Sequence, residues 1–118
     1  MQLKPEVNAQ GVEREVWFAL GVAEAVYARH GMELVVTSLN DGHAHRPDSL
    51  HSKDGRGRAA DCRTRSIPQS TAAIIFSEIR ARLNAHGFDC VLHAPGGDVP
   101  EHIHVEFDPK PGEEFLRR

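Results

Sequence analysis

The sequence predicts a single α+β domain: a small, mainly antiparallel sheet with its helices packed on one face. Three observations point there. The chain has 118 residues, enough for one hydrophobic core and too few for two. Apolar residues recur at helical spacing in two segments, about 11–29 and 68–86, while short β-branched runs bounded by turn residues stand between and after them. The resulting order is helix, strand, long loop, strand, helix, strand, strand, which reads as α+β.

In the first segment Val12, Val16, Leu20, Ala23 and Tyr27 form the apolar line, Glu13, Glu24 and Arg29 fall off it, and Gly31 supplies a C-terminal stop. Residues 33–37 are a short apolar, β-branched run expected to form a buried strand. A polar stretch rich in Gly, Asp and His follows over 38–58, a length that compact domains keep for function or leave disordered. A second strand is expected at 59–63. The second helix opens at Ser66 and Pro68, carries Ala72, Ile75, Phe76, Ile79 and Leu83 on its apolar face, and closes at Gly87. Strands at 89–93 and 103–107 flank the turn-rich Ala94-Pro95-Gly96-Gly97-Asp98, and 108–118 reads as a polar tail.

Composition narrows the function classes. Fourteen Lys and Arg against 17 Asp and Glu leave a net charge of −3, so no basic field is available to gather nucleic acid. A mean hydropathy of −0.43 belongs to a globular chain rather than a membrane one. The longest uncharged apolar run, 16–23, is bracketed by Glu15 and Glu24 and is too short for a membrane span. Cys62 and Cys90 alone do not make a disulfide scaffold, and they lack the close spacing of a structural zinc site. Residues 1–6 lack the features of a secretory leader. The expectation is a chain that is cytoplasmic as synthesised, with release to the cell wall on lysis as an open route.

Histidine stands out: eight residues, against five Phe, one Trp and one Tyr. Histidine titrates near neutrality and is the commonest metal ligand. His30 and His86 read as helix-end residues and His93 as a strand-end surface residue. The others form two clusters, His43, His45 and His51 in the long loop and His102 and His104 at the start of the last strand. Residues two apart in a strand share a face, so His102 and His104 project together while Ile103 and Val105 point the other way. Glu101, three residues before His104, could reach a metal-held water without being a ligand. His51, Asp61 and His104 would supply two imidazoles and one carboxylate, leaving a fourth tetrahedral position open, as in catalytic zinc sites. The same residues also suit blander roles: His102 and His104 a polar strand face, Asp61 a cap or an ion-pair partner of Arg58, Arg63 or Arg65.

Ser49-Leu50-His51, Gly57-Arg58-Ala59-Ala60-Asp61 and Glu101-His102-Ile103-His104 resemble the M15 zinc peptidases, which include bacterial and phage D-alanyl-D-alanine carboxypeptidases and dipeptidases and L-alanyl-D-glutamate endolysins. The family pattern is S-x-H-x-x-G-x-A-x-D followed downstream by E-x-x-H. Residues 41–51, Gly87-Phe88-Asp89 and His102-Ile103-His104 are also similar to the zinc site of the hedgehog signalling domain, which shares the fold. The likeness spans about 33–107, and two separated motifs in the right order are more specific than either alone.

The resemblance implies one zinc ion held by His51, Asp61 and His104, with Glu101 as general base and His102 close to the metal water or the developing oxyanion. It implies that Ser49 contacts substrate, that His45 lines the cleft, and that peptidoglycan or its peptide fragments are the partner. No residue matches the family's oxyanion-stabilising cation, for which Arg46, Arg56 and Arg58 are candidates. One departure is plain: His51 and Asp61 are ten residues apart where the family has seven, and the extra three fall within the glycine-containing 52–56. A binding or phage structural module that keeps the zinc but not the hydrolysis is the alternative that the hedgehog likeness allows.

Overall fold

The computed structural model describes residues 1–39, 57–96, 100–113 and 115. His43, His45, Arg46, Ser49, His51 and Arg56 lie outside the described residues. In order, the elements are β1 (Gln2–Leu3), α1 (Arg14–Arg29), β2 (Val35–Ser38), β3 (Ala59–Arg63), α2 (Gln69–Leu83), a 3₁₀ turn (Asn84–His86), β4 (Phe88–His93) and β5 (His102–Phe107). The architecture is α+β. The sheet order is β1-β2-β3-β5-β4, with β1 parallel to β2 and the other pairs antiparallel. Among the described residues, no helix is long and apolar enough to cross a membrane.

α1 begins three residues later than its apolar line suggests. Gly11 takes a positive φ of 68° and Val12 bridges to Gly57, so these residues are committed to the lead-in of β3. From Val16 onward the line holds, and Val16, Ala19, Leu20, Ala23, Val26 and Tyr27 are buried. The helix ends as glycine at the position after the cap predicts. Gly31, at φ 70°, donates its N–H to the Ala28 carbonyl while the Met32 N–H reaches back to Tyr27, the paired bonds that satisfy the last carbonyls of a helix.

α1 packs on β3 and β5, α2 packs on β4, and the helices pack on each other. One cluster joins Val16, Leu20, Ala23 and Tyr27 of α1 and Ile75, Ile79 and Leu83 of α2 to Ala60, Cys62, Ile103, Val105 and Phe88 of the sheet. Burying each large aliphatic side chain contributes about 1.5–3 kcal/mol, and this cluster is what fixes which face of β3 and β5 turns inward. His30 does more than end a helix: its Nε2 lies 3.1 Å from Oε1 of Glu78 on α2, and Arg29 pairs with the same carboxylate.

Two further features differ from the sequence expectation. β1 was not expected, because two exposed residues carry no periodicity. They become a strand by main-chain pairing alone, with Gln2 N–H donating to the Leu34 carbonyl and Lys4 N–H to the Val36 carbonyl. The sheet is therefore mixed at that edge. The segment 108–118, polar by composition, returns an aromatic to the core: Phe115 meets Phe18 edge-to-face at 5.2 Å and lies near Phe88 and Phe107.

Gly87 shows why this chain needs glycine where α2 gives way to β4. Its φ is 88°, and a Cβ there would stand 2.9 Å from the Pro109 Cβ and 3.2 Å from the Phe107 ring. Its carbonyl also receives the Asp108 N–H. Gly87→Ala combines a left-handed residue with a collision, a cost of about 1–3 kcal/mol. It should lower the thermal midpoint by roughly 5 °C or more, and an unchanged midpoint in a scanning calorimeter would show that the turn relaxes freely.

Candidate functional site

Alternation along β3 and β5 sends Cys62, Ile103 and Val105 to the helix side and Asp61, His102, His104 and Glu106 to the opposite face. The antiparallel register then sets these side chains beside one another. Asp61 is opposite His104, Arg63 opposite His102 and Ala59 opposite Glu106. On the other flank of β5, His93 is opposite His102, Val91 opposite His104 and Asp89 opposite Glu106. A register shift in β2 falls between Val36 and Ser38, at the residue paired with Asp61, and the Thr37 hydroxyl donates to the Asp61 carbonyl at 3.4 Å. Such irregularities re-aim neighbouring side chains.

At the centre, Asp61 is 8% exposed. Its Oδ1 lies 2.9 Å from Nδ1 of His104, and Nε2 of His104 lies 2.9 Å from Oε1 of Glu106. A carboxylate only accepts, so both ring nitrogens of His104 are donors here. Burial works against that charge, but the hydrogen bonds that the ring donates to Asp61 and Glu106 outweigh it and push the His104 imidazole up to about 9. His102 is oriented differently. Its Nδ1 donates to the Pro100 carbonyl at 3.0 Å, which turns Nε2 toward Asp61 Oδ1 at 3.7 Å. His93 stacks on His102 with ring centroids 5.0 Å apart and meets His104 edge-to-face at 5.7 Å. Burial, together with the neighbouring His102 and His104, holds His93 below the usual imidazole range.

The donor set suits zinc, which takes imidazole nitrogen and carboxylate oxygen. Two ligands on a tetrahedral zinc, each about 2.0–2.1 Å from the ion, stand about 3.3 Å apart. The Asp61 and His104 atoms, at 2.9 Å, would need to open by only a few tenths of an ångström once the Nδ1 proton leaves.

The described residues thus bring Asp61, His102 and His104 together. Two other candidates have partners of their own. Arg58 lies one residue before β3, on the helix side, where its Nε donates to Glu13 at the start of α1 at 3.4 Å. Glu101 stands at the mouth of β5. The hydroxyl of Thr64, 1% exposed, is 2.9 Å from its Oε1 and 3.0 Å from its carbonyl. Ser49, His45 and His51 are outside the described residues.

Three residues near or on this face escaped the sequence reading. Glu106 continues the alternation of His102 and His104, so the same two-residue rule would have found it. His93 follows from hairpin register, which pairs it with His102. Thr64 gave no signal. Glu106 also belongs to an acidic group with Asp89 and Asp108, whose carboxylate oxygens lie within 4.8 Å of one another, and the Lys110 ammonium bonds Asp89 and Asp108. Comparison with protein-family models, with curated proteins and with solved structures finds no match to this chain.

The charge on His104 is directly measurable. In the metal-free protein its ring C–H resonance should titrate with a midpoint near 9, and Asp61→Asn should move that midpoint down toward about 6.5. The raised value means that protonated His104 stabilises the metal-free fold fully below about pH 6.5 and loses that contribution as pH rises through about 9. A wild-type midpoint at or below the ordinary imidazole range would remove the two carboxylates as its partners.

Proposed function

We propose that this chain is a zinc-dependent peptidase that hydrolyses an amide bond of peptidoglycan stem peptides, the activity of the M15 peptidases that its motifs resemble. One observation supports the reading: Asp61 and His104, 43 residues apart in sequence, come within 2.9 Å across β3 and β5, close enough for both to reach one ion. His51, Asp61 and His104 would hold the zinc. Bound there, zinc supplies Lewis acidity, making a water acidic enough to lose a proton near neutral pH and polarising the scissile carbonyl.

The chain's own residues do the proton work. Glu101 takes the proton of the attacking water and hands it to the leaving amine nitrogen. Thr64 fixes Oε1 of that carboxylate and leaves Oε2 as the oxygen for the proton. His102, with Nε2 turned toward Asp61, stabilises the oxyanion that develops on the carbonyl. Ser49 and His45 contact the peptide. Arg58, engaged by Glu13, anchors α1 to β3 in this reading rather than meeting substrate. The chain would act on wall peptides reached on lysis, or on soluble fragments of them.

One observation favours a second reading, a zinc-bearing binding or phage structural module without hydrolysis: the Glu101 carboxylate is already held by a buried hydroxyl. Activity separates the two. Purified protein incubated with muropeptides should release D-Ala or cleave after L-Ala, stop on chelation and recover with added zinc. Glu101→Gln should keep its zinc and lose about 10²–10⁴-fold in rate, while His104→Ala should lose the metal by elemental analysis. Stoichiometric zinc with no cleavage would select the module, and parent-rate cleavage by Glu101→Gln would remove Glu101 as the base.

A further inference from the structure

We propose that Glu106 is the positioning residue for His104: its carboxylate holds the Nε2 hydrogen, so that Nδ1 is the nitrogen presented, with Asp61 Oδ1, to a zinc ion. The inference rests on the metal reading above and adds a residue that the motifs do not contain.

The geometry assigns the role. An imidazole can bind a metal through either nitrogen, and which one does so is set by the hydrogen bond that the other makes. His104 sits between two carboxylates on opposite sides of its ring, Asp61 at Nδ1 and Glu106 at Nε2, each at 2.9 Å. Only Asp61 lies across the strand pair from His104. Glu106 is on the same strand two residues on, projects to the same face, and its side chain is 24% exposed. A ligand set built on Asp61 needs the Nδ1 side of the ring, and a carboxylate at Nε2 keeps the ring from turning its other nitrogen to the ion. The negative charge of Glu106 also raises the electron-donating power of the imidazole.

Glu106 can spare its charge for this. Asp89, opposite it on β4, and Asp108 complete the acidic group, and the Lys110 ammonium lies 3.1 Å from Asp89 and 2.7 Å from Asp108. That cation answers the carboxylates on the far side of Glu106, while Oε1 of Glu106 faces His104.

The test compares wild type, Glu106→Gln, Glu106→Ala and His104→Ala in two measurements. Zinc affinity is read by competition with a chromogenic chelator, and ¹⁵N-edited spectra of the histidine rings identify the nitrogen that carries hydrogen and the nitrogen that carries metal. Glu106→Ala should weaken zinc binding about 10- to 100-fold and lose the slowly exchanging His104 Hε2 resonance. Glu106→Gln, whose amide oxygen still accepts, should keep that resonance and lie closer to wild type. Wild-type affinity in Glu106→Ala, or zinc on Nε2 of His104 in the parent, overturns the positioning role even where His104→Ala loses the metal. If wild type takes up no zinc, the metal reading itself fails. The Hε2 resonance of the metal-free ring, kept in the parent and lost in Glu106→Ala, then decides separately whether Glu106 orients His104.

Discussion

The contact between Asp61 and His104 depends on register more than on either residue. A one-residue slip between β3 and β5 would send Asp61 to the helix side and leave His104 facing Ala60 or Cys62. What prevents the slip is the opposite face, where Ala60, Cys62, Ile103 and Val105 belong to the core cluster that α1 and α2 complete. The core therefore serves the polar face by holding the strands in phase. The face itself is expensive, since a carboxylate and an imidazole are being taken out of water, and it is tolerable because each is paired with opposite charge. Around that pair, Pro100 sets the ring of His102 and Glu106 that of His104, so the two histidines present different nitrogens to nearly the same place.

Much of this was legible in the sequence, and the reasons are specific. The alternation of His102, Ile103, His104 and Val105 needs only the period of a strand, and the structure keeps it. Both helices follow from apolar spacing, and Gly31 and Gly87 end them where a positive φ is required. Residue chemistry offers Asp61 and His104 as members of one ligand set and the resemblance joins them more firmly, but nothing in local pattern fixes the pairing of strands more than 40 residues apart. Their register is a property of the assembled core.

What escaped the sequence has equally physical causes. β1 is held by backbone bonds to β2, which leave no mark on side-chain pattern. Phe115 is a lone aromatic in a polar segment, and only the exposed edge of the Phe18, Phe88 and Phe107 cluster gives it a place. His93 reads as surface until the β4–β5 hairpin closes and stacks it on His102. Arg58 meets Glu13, a contact that the strand's alternation sets by turning it toward α1.

We propose that Asp61 and His104 are two ligands of one zinc ion, completed by His51. X-ray absorption at the zinc edge of the purified protein addresses it most directly. The account predicts a four-coordinate site of nitrogen and oxygen ligands at about 2.0–2.1 Å, with the multiple scattering of two imidazoles and no sulfur shell. A metal-free protein, a sulfur ligand from Cys62 or Cys90, or a six-coordinate all-oxygen shell of the kind an acidic cluster would hold, would contradict it.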